Sequence, residues 1–128
     1  MRLAELVAGL DACVLTGDPD LEIASIEFDS RQVQPGTLFV ALRGGYTDGH
    51  LYLHDARARG AAAVFVEDGA AVDTAQFAAA IVTPDTRALL ATIAARFYGH
   101  SSRSMTVIGV TGTDGKTTTA HFIESLCR

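Results

Sequence analysis

Near the end of the chain, Gly109-Val110-Thr111-Gly112-Thr113-Asp114-Gly115-Lys116-Thr117-Thr118 combines small, hydroxylated and cationic residues in an order suited to phosphate. Gly112 and Gly115 carry no Cβ where backbone N–H groups must come close to oxygen atoms. Lys116 puts a full positive charge beside β- and γ-phosphates, and the Thr117 hydroxyl is of the kind that holds Mg²⁺. The segment predicts a phosphate site built from Gly112, Thr113, Asp114, Gly115, Lys116, Thr117 and Thr118, with Lys116 as its cation and Thr117 as its Mg²⁺ ligand. The spacing departs from the general Gly-x-x-x-x-Gly-Lys-Ser/Thr pattern, because Val110 stands where the first Gly is usual. Without a ligand, the same residues would be an ordinary strand-to-helix turn with a solvated lysine.

A loop of this kind works only if a strand feeds it and a helix leaves it. Met105 to Val110 is apolar enough to predict a buried strand, and Lys116 to Leu126 predicts a helix. Upstream, Leu3, Leu6, Val7 and Leu10 recur at helical spacing. Ile23 to Phe28 alternates like a half-buried strand. After a Pro35-Gly36 turn, Leu38 to Leu42 reads as a buried strand. A loop containing Gly44, Gly45 and Gly49 precedes a helix expected from His50 to Arg59, with Gly60 as its C-terminal cap. Ala63 to Val66 and Ala80 to Val82 are further strands, with a short helix between them around Val72 to Ala79. Thr83-Pro84-Asp85 predicts the start of a helix, with Thr83 as cap and Leu89, Ile93 and Phe97 as its core stripe. Alternating strands and helices give an α/β fold. The small polar run His100 to Ser104 reads as a linker, which divides the chain into residues 1–103 and an incomplete unit, 104–128.

Bulk composition narrows the function classes. The chain has 128 residues, 48% of them hydrophobic, and a net charge of -5. Its 10 basic residues form no run, so a nucleic-acid partner is not expected. No apolar stretch is long enough to span a bilayer, and no signal peptide is read at the N-terminus, so neither a membrane partner nor export is expected and the cytoplasm is the predicted location. Cys13 and Cys127 make neither a disulfide framework nor a metal knuckle.

The segment Ile108 to Thr119 resembles the ATP loop of the Mur ligase and folylpolyglutamate synthase superfamily, with Asp114 at a position usually held by Asn. A second block agrees: Phe28-Asp29-Ser30-Arg31, Pro35 to Gly44, Asp48-Gly49-His50 and Gly60-Ala61 resemble the N-terminal nucleotide-binding domain of the E and F types of Mur ligase. Thr113, and the run from Thr83 through Gly99, favour the E type. The resemblance implies a small UDP-binding domain whose sheet is flanked by helices. The first strand, phosphate loop and helix of a truncated parallel-sheet ATPase domain would come after it.

It further implies an ATP-dependent, amide-forming ligase of peptidoglycan precursor synthesis, with ATP and Mg²⁺ as cofactors, Lys116 as its catalytic group and Thr117 as its metal ligand. Such an enzyme extends a UDP-N-acetylmuramoyl-dipeptide by a third amino acid, diaminopimelate or lysine, through an acyl phosphate. The UDP end of the substrate would meet Phe28, Ser30, Arg31, Gly45, Tyr46, Thr47 and His50. Arg31 is a planar cation suited to pyrophosphate, Tyr46 would stack on the uracil, and Thr47 would hydrogen-bond to it. A monomer is expected. The family's remaining catalytic parts would lie past Arg128, so this chain alone is expected to be inactive. An F-type ligase, or a non-catalytic module binding a UDP-sugar or a protein, remains an alternative. His50 and His54 share a helical face, but no third ligand stands at useful spacing. Asp55 and Arg59 are expected to form a weak surface pair.

Overall fold

Leu38, Phe39, Val40 and Ala41 succeed one another with no polar side chain among them, and all four are fully buried. A strand apolar on both sides must be covered on both faces. The computed structural model, which describes residues 1–45, 47–68 and 73–128, shows how. The strands are β1 (Val14–Gly17), β2 (Ser25–Glu27), β3 (Thr37–Val40), β4 (Ala63–Glu67) and β5 (Ala79–Thr83). They form one five-stranded sheet in the order β1-β5-β4-β3-β2. β2 to β5 run parallel, and β1 closes the far edge antiparallel to β5.

The pleat sends alternate residues to opposite faces. Leu38, Val40, Ala63, Phe65, Ala79 and Ile81 face one way and pack with Leu3 and Leu6 of α1 (Leu3–Val7) and Ile93 of α3 (Thr86–Phe97). Phe39, Ala41, Val64, Val66 and Ala80 face the other way and pack with Leu53 and Ala56 of α2 (Leu53–Ala58). Phe39 and Phe65 anchor the two layers, each with no exposed surface. Burial of such a side chain contributes about 1.5–3 kcal/mol.

Aspartate starts the elements that leave this sheet. The carboxylates of Asp29, Asp48, Asp73 and Asp85 each accept a backbone N–H two or three residues ahead, from Arg31, His50, Ala75 and Ala88. The first three begin single 3₁₀ turns and the fourth begins α3. Asp85 thus takes the capping place expected for Thr83, which ends β5 and is buried with its hydroxyl donating to the Ala12 carbonyl. The helix expected from His50 opens instead as a 3₁₀ turn, Gly49–Tyr52, and continues as α2 to Ala58. Gly60 comes shortly after it with φ +97°. Of the helix expected over 72–79, the described residues form only a 3₁₀ turn, Thr74–Gln76, because β5 takes Ala79 into the sheet. β1 was not anticipated.

The largest departure lies after α3. Met105 to Val110 is not a strand: Met105, Val107 and Ile108 are 55–68% exposed and join no ladder. A strand exists through its neighbours' backbone groups, and among the described residues no segment lies beside this one. The phosphate loop leads into α4 (Lys116–Cys127), which buries no residue. None of the described helices is long and apolar enough to cross a membrane.

Candidate functional site

β2 and β3 end at the same edge of the sheet, and the segments leaving those two ends build a cleft. Phe28 extends β2, and Asp29 caps the turn that carries Ser30 and Arg31. After β3, residues 42–45 and 47–49 run back alongside one another as the two arms of a small hairpin. The Gly49 N–H donates to the Leu42 carbonyl at 2.8 Å, the Gly44 N–H donates to the Thr47 carbonyl at 2.9 Å, and Arg43 bridges Asp48. Tyr52 and Asp55 come from the 3₁₀ turn and from α2. Together Phe28, Asp29, Ser30, Arg31, Thr47, Tyr52 and Asp55 line a cleft of about 590 Å³.

Four residues expected at a UDP site, Phe28, Ser30, Arg31 and Thr47, thus share one wall system. Gly45 is exposed and does not line it. Tyr46 lies outside the described residues. His50 turns away from the cleft: only 7% of its side chain is exposed, Nδ1 lies 2.5 Å from Asp48 Oδ1, and Nε2 accepts the Glu67 N–H at 3.0 Å. Both ring nitrogens are engaged inside the protein, and the accepting Nε2 places the ring proton on Nδ1. Tyr52 and Asp55 were missed by sequence reasoning. They lie more than twenty residues from Phe28, and only the fold of α2 against the 29–31 turn brings them near.

Arg31 is held in place by its neighbour. Its Nε donates to Asp29 Oδ1 at 2.9 Å and its Nη2 to Oδ2 at 2.7 Å, the two-pronged geometry natural to guanidinium and carboxylate. Hydrogen bonding from the Arg31 side chain, and then from its backbone N–H, holds the Asp29 carboxyl down at about 2. The carboxylate therefore stays ionised through the physiological range. Nη1 of Arg31 has no partner among the described residues and is available to an anionic ligand.

At the far end of the chain, Gly112 (φ +149°) and Gly115 (φ +74°) take backbone conformations that side chains resist. Gly115 caps α4 with no side-chain hydrogen bond. The opening N–H groups of a helix have no acceptor within it, so they suit an oxyanion. Lys116 bends back over the loop, and its ammonium donates to the carbonyls of Gly112 at 2.5 Å and Thr113 at 3.1 Å. Thr113, Asp114, Thr117 and Thr118 are exposed around it. The donor set fits a nucleotide phosphate chain: backbone N–H groups, one ammonium and a first-turn hydroxyl.

Known proteins similar to this chain form one group. The family described as "Mur ligase family, catalytic domain" matches residues 22–98, the stretch that holds β2 to β5 and α3. A UDP-N-acetylmuramyl-tripeptide synthetase from Roseiflexus sp. (strain RS-1) is 50% identical over 93% of this chain and 23% of its own length. A UDP-N-acetylmuramoyl-L-alanyl-D-glutamate--2,6-diaminopimelate ligase from Syntrophomonas wolfei is 44% identical over 98% of this chain and 25% of its own. The solved UDP-N-acetylmuramoylalanyl-D-glutamyl-2,6-diaminopimelate--D-alanyl-D-alanyl ligase from Acinetobacter baumannii superposes with a TM-score of 0.75. It is 28% identical and matches 98% of this chain and 27% of that one. The chain spans about a quarter of the length of these relatives. A family match that runs across the cleft-building sheet, joined to relatives aligned along nearly all of the chain, places it in the Mur ligase family.

Proposed function

We propose that this chain carries the UDP-substrate domain (residues 1–103) and the opening of the ATP domain (104–128) of an E-type Mur ligase. That enzyme adds the third amino acid, diaminopimelate or lysine, to UDP-N-acetylmuramoyl-L-alanyl-D-glutamate in the cytoplasm, and acts as a monomer. The observation that carries the reading is the gathering of Phe28, Ser30, Arg31 and Thr47 around one cleft. The names of the relatives at 44% and 50% identity point to the same step. The F type is the second reading, supported by the 28% identical solved ligase.

In this reading Phe28 and Tyr52 offer apolar faces to the base, and Thr47 a hydrogen bond. Ser30 and the Nη1 of Arg31 bind the diphosphate. Asp29 keeps Arg31 oriented and partly neutralises it, so the diphosphate meets a positioned donor rather than a free charge. ATP with Mg²⁺ supplies the phosphoryl group that activates the substrate carboxylate for attack by the incoming amine. Lys116, with Gly112, Thr113, Asp114, Gly115 and Thr118, holds the phosphates, and Thr117 offers its hydroxyl to the metal. Lys116 would exchange its loop carbonyls for phosphate oxygens.

Titration calorimetry of the chain with UDP-N-acetylmuramoyl-dipeptide tests the substrate half. We expect binding that weakens about fivefold in Ser30→Ala, the loss of one hydrogen bond worth about 1 kcal/mol. A folded chain that takes up no ligand would remove the cleft from consideration. Lys116-dependent ATP hydrolysis by these 128 residues alone would overturn the incompleteness of the ATP half.

A further inference from the structure

The hairpin with arms 42–45 and 47–49 carries Thr47 to the cleft, yet among the described residues its own ladder is two hydrogen bonds and one bridge. Such a short hairpin is marginal by itself. The group that holds it lies outside the cleft, at the last residue of β4. The Glu67 side chain is only 13% exposed, and its two oxygens serve different elements. Oε2 lies 3.0 Å from Arg43 Nε, on the outgoing arm of the hairpin. Oε1 lies 3.3 Å from the Thr86 hydroxyl, in the first turn of α3, which shares its one proton with the Ala41 carbonyl at 3.2 Å. The Glu67 N–H donates to His50 Nε2 at 3.0 Å, and the other nitrogen of that ring is bound to Asp48, on the returning arm. Arg87 adds a hydrogen bond from Nη2 to the Arg43 carbonyl at 3.1 Å.

We propose that Glu67 is a positioning residue for the nucleotide cleft: its carboxylate clamps the outgoing arm of the hairpin, through Arg43, to β4 and α3, beside the returning arm that His50 ties to the Glu67 main-chain N–H, and so holds Thr47 in its binding position. This rests on the reading of the cleft as a UDP site. The carboxylate does not line the cleft. Its contribution comes from partial burial, where a charge-assisted hydrogen bond is stronger than on an open surface. Without it, the hairpin samples arrangements that do not bind, and apparent affinity falls by the fraction of time it spends in them.

The test uses the 128-residue chain with UDP as the probe, in wild type, Glu67→Gln, Arg43→Gln and the double variant. Glu67→Gln keeps the shape but removes the charge, leaving Arg43 at best a neutral hydrogen bond in place of the ion pair. Arg43 is 54% exposed, so its variant folds even if Glu67→Gln does not. We expect each single variant to bind UDP about fivefold more weakly, and the double variant to lose no more than either single one. We also expect amide exchange at Gly44 and Gly49 to rise about tenfold in ligand-free Glu67→Gln, with protection in β3 and β4 unchanged. Unaltered UDP affinity in both single variants, losses that multiply in the double variant, or unaltered exchange at Gly44 and Gly49 would each overturn the clamp. If wild type binds no UDP, the cleft assignment fails, while the exchange measurement still decides whether Glu67 holds the hairpin.

Discussion

Adding one methyl group at Gly49 should force the hairpin off the end of β3. A Cβ there would sit 2.6 Å from Leu42 N, 2.9 Å from Leu42 O and 3.0 Å from Ala41 Cα. All three are backbone atoms, so no side chain can swing aside. Ala41 is itself tied to β4, its N–H donating to the Phe65 carbonyl at 2.9 Å. Relief therefore has to come from the hairpin, at the expense of the Gly49 N–H to Leu42 O bond. Overpacking of this kind costs about 1–3 kcal/mol, and the weakened hydrogen bond adds about 1 kcal/mol. The sum, about 2–4 kcal/mol, would lower the melting temperature of a domain this size by about 8 °C or more. Gly45 is the internal control. Nothing lies within 4 Å of its Cβ position and its φ is not positive. Gly45→Ala should stay within about 0.5 kcal/mol of wild type. Urea unfolding followed by circular dichroism measures both, with m unchanged if the denatured state is unaffected. Coincident midpoints for the two variants would refute the packing argument.

The same geometry sets two further outcomes. The Asp29 carboxyl, held at about 2 mainly by its hydrogen bonds from Arg31, should titrate there by carbon-detected NMR and move up in Arg31→Ala. Its folded-state value is depressed, so whatever stability it contributes is present above its unfolded pKa near 4 and lost as pH falls through about 2; a wild-type midpoint near 4 would contradict the pairing. Phe65→Ala should cost about 3–5 kcal/mol, whereas Phe122→Ala should change stability by less than about 0.5 kcal/mol. Phe65 is fully buried and Phe122 is 67% exposed, so equal effects in urea unfolding would mean that α4 packs against the domain.

Several parts of this architecture were readable from residue order because their causes are local. Gly112 and Gly115 take positive φ and α4 starts at Lys116, a loop-to-helix turn that depends only on nearby backbone groups. The continuous apolar runs at Leu38 and Ala63 announced strands covered on both faces. Other parts depended on partners distant in sequence. Val14–Gly17 is short and largely exposed, and it becomes a strand because β5 offers it an edge, with Leu15 opposite Ile81. Met105 to Val110 has the composition of a buried strand and is not one, because composition cannot provide a neighbouring ladder.

The candidate site divides along the same line. Ser30 and Arg31 by themselves read as a strand end with a surface arginine, and the glycines as a loop; it was the resemblance of the surrounding blocks that indicated a nucleotide. The sequence alone determined which residue types were available to bind phosphate and base. Tertiary structure decided which of them meet: it brought Tyr52 and Asp55 beside Phe28, and turned His50 inward to accept the Glu67 N–H. The reason is physical. A backbone turn is specified by the few residues within it, whereas the direction of a side chain at a sheet edge is set by the strands and helices packed around that edge.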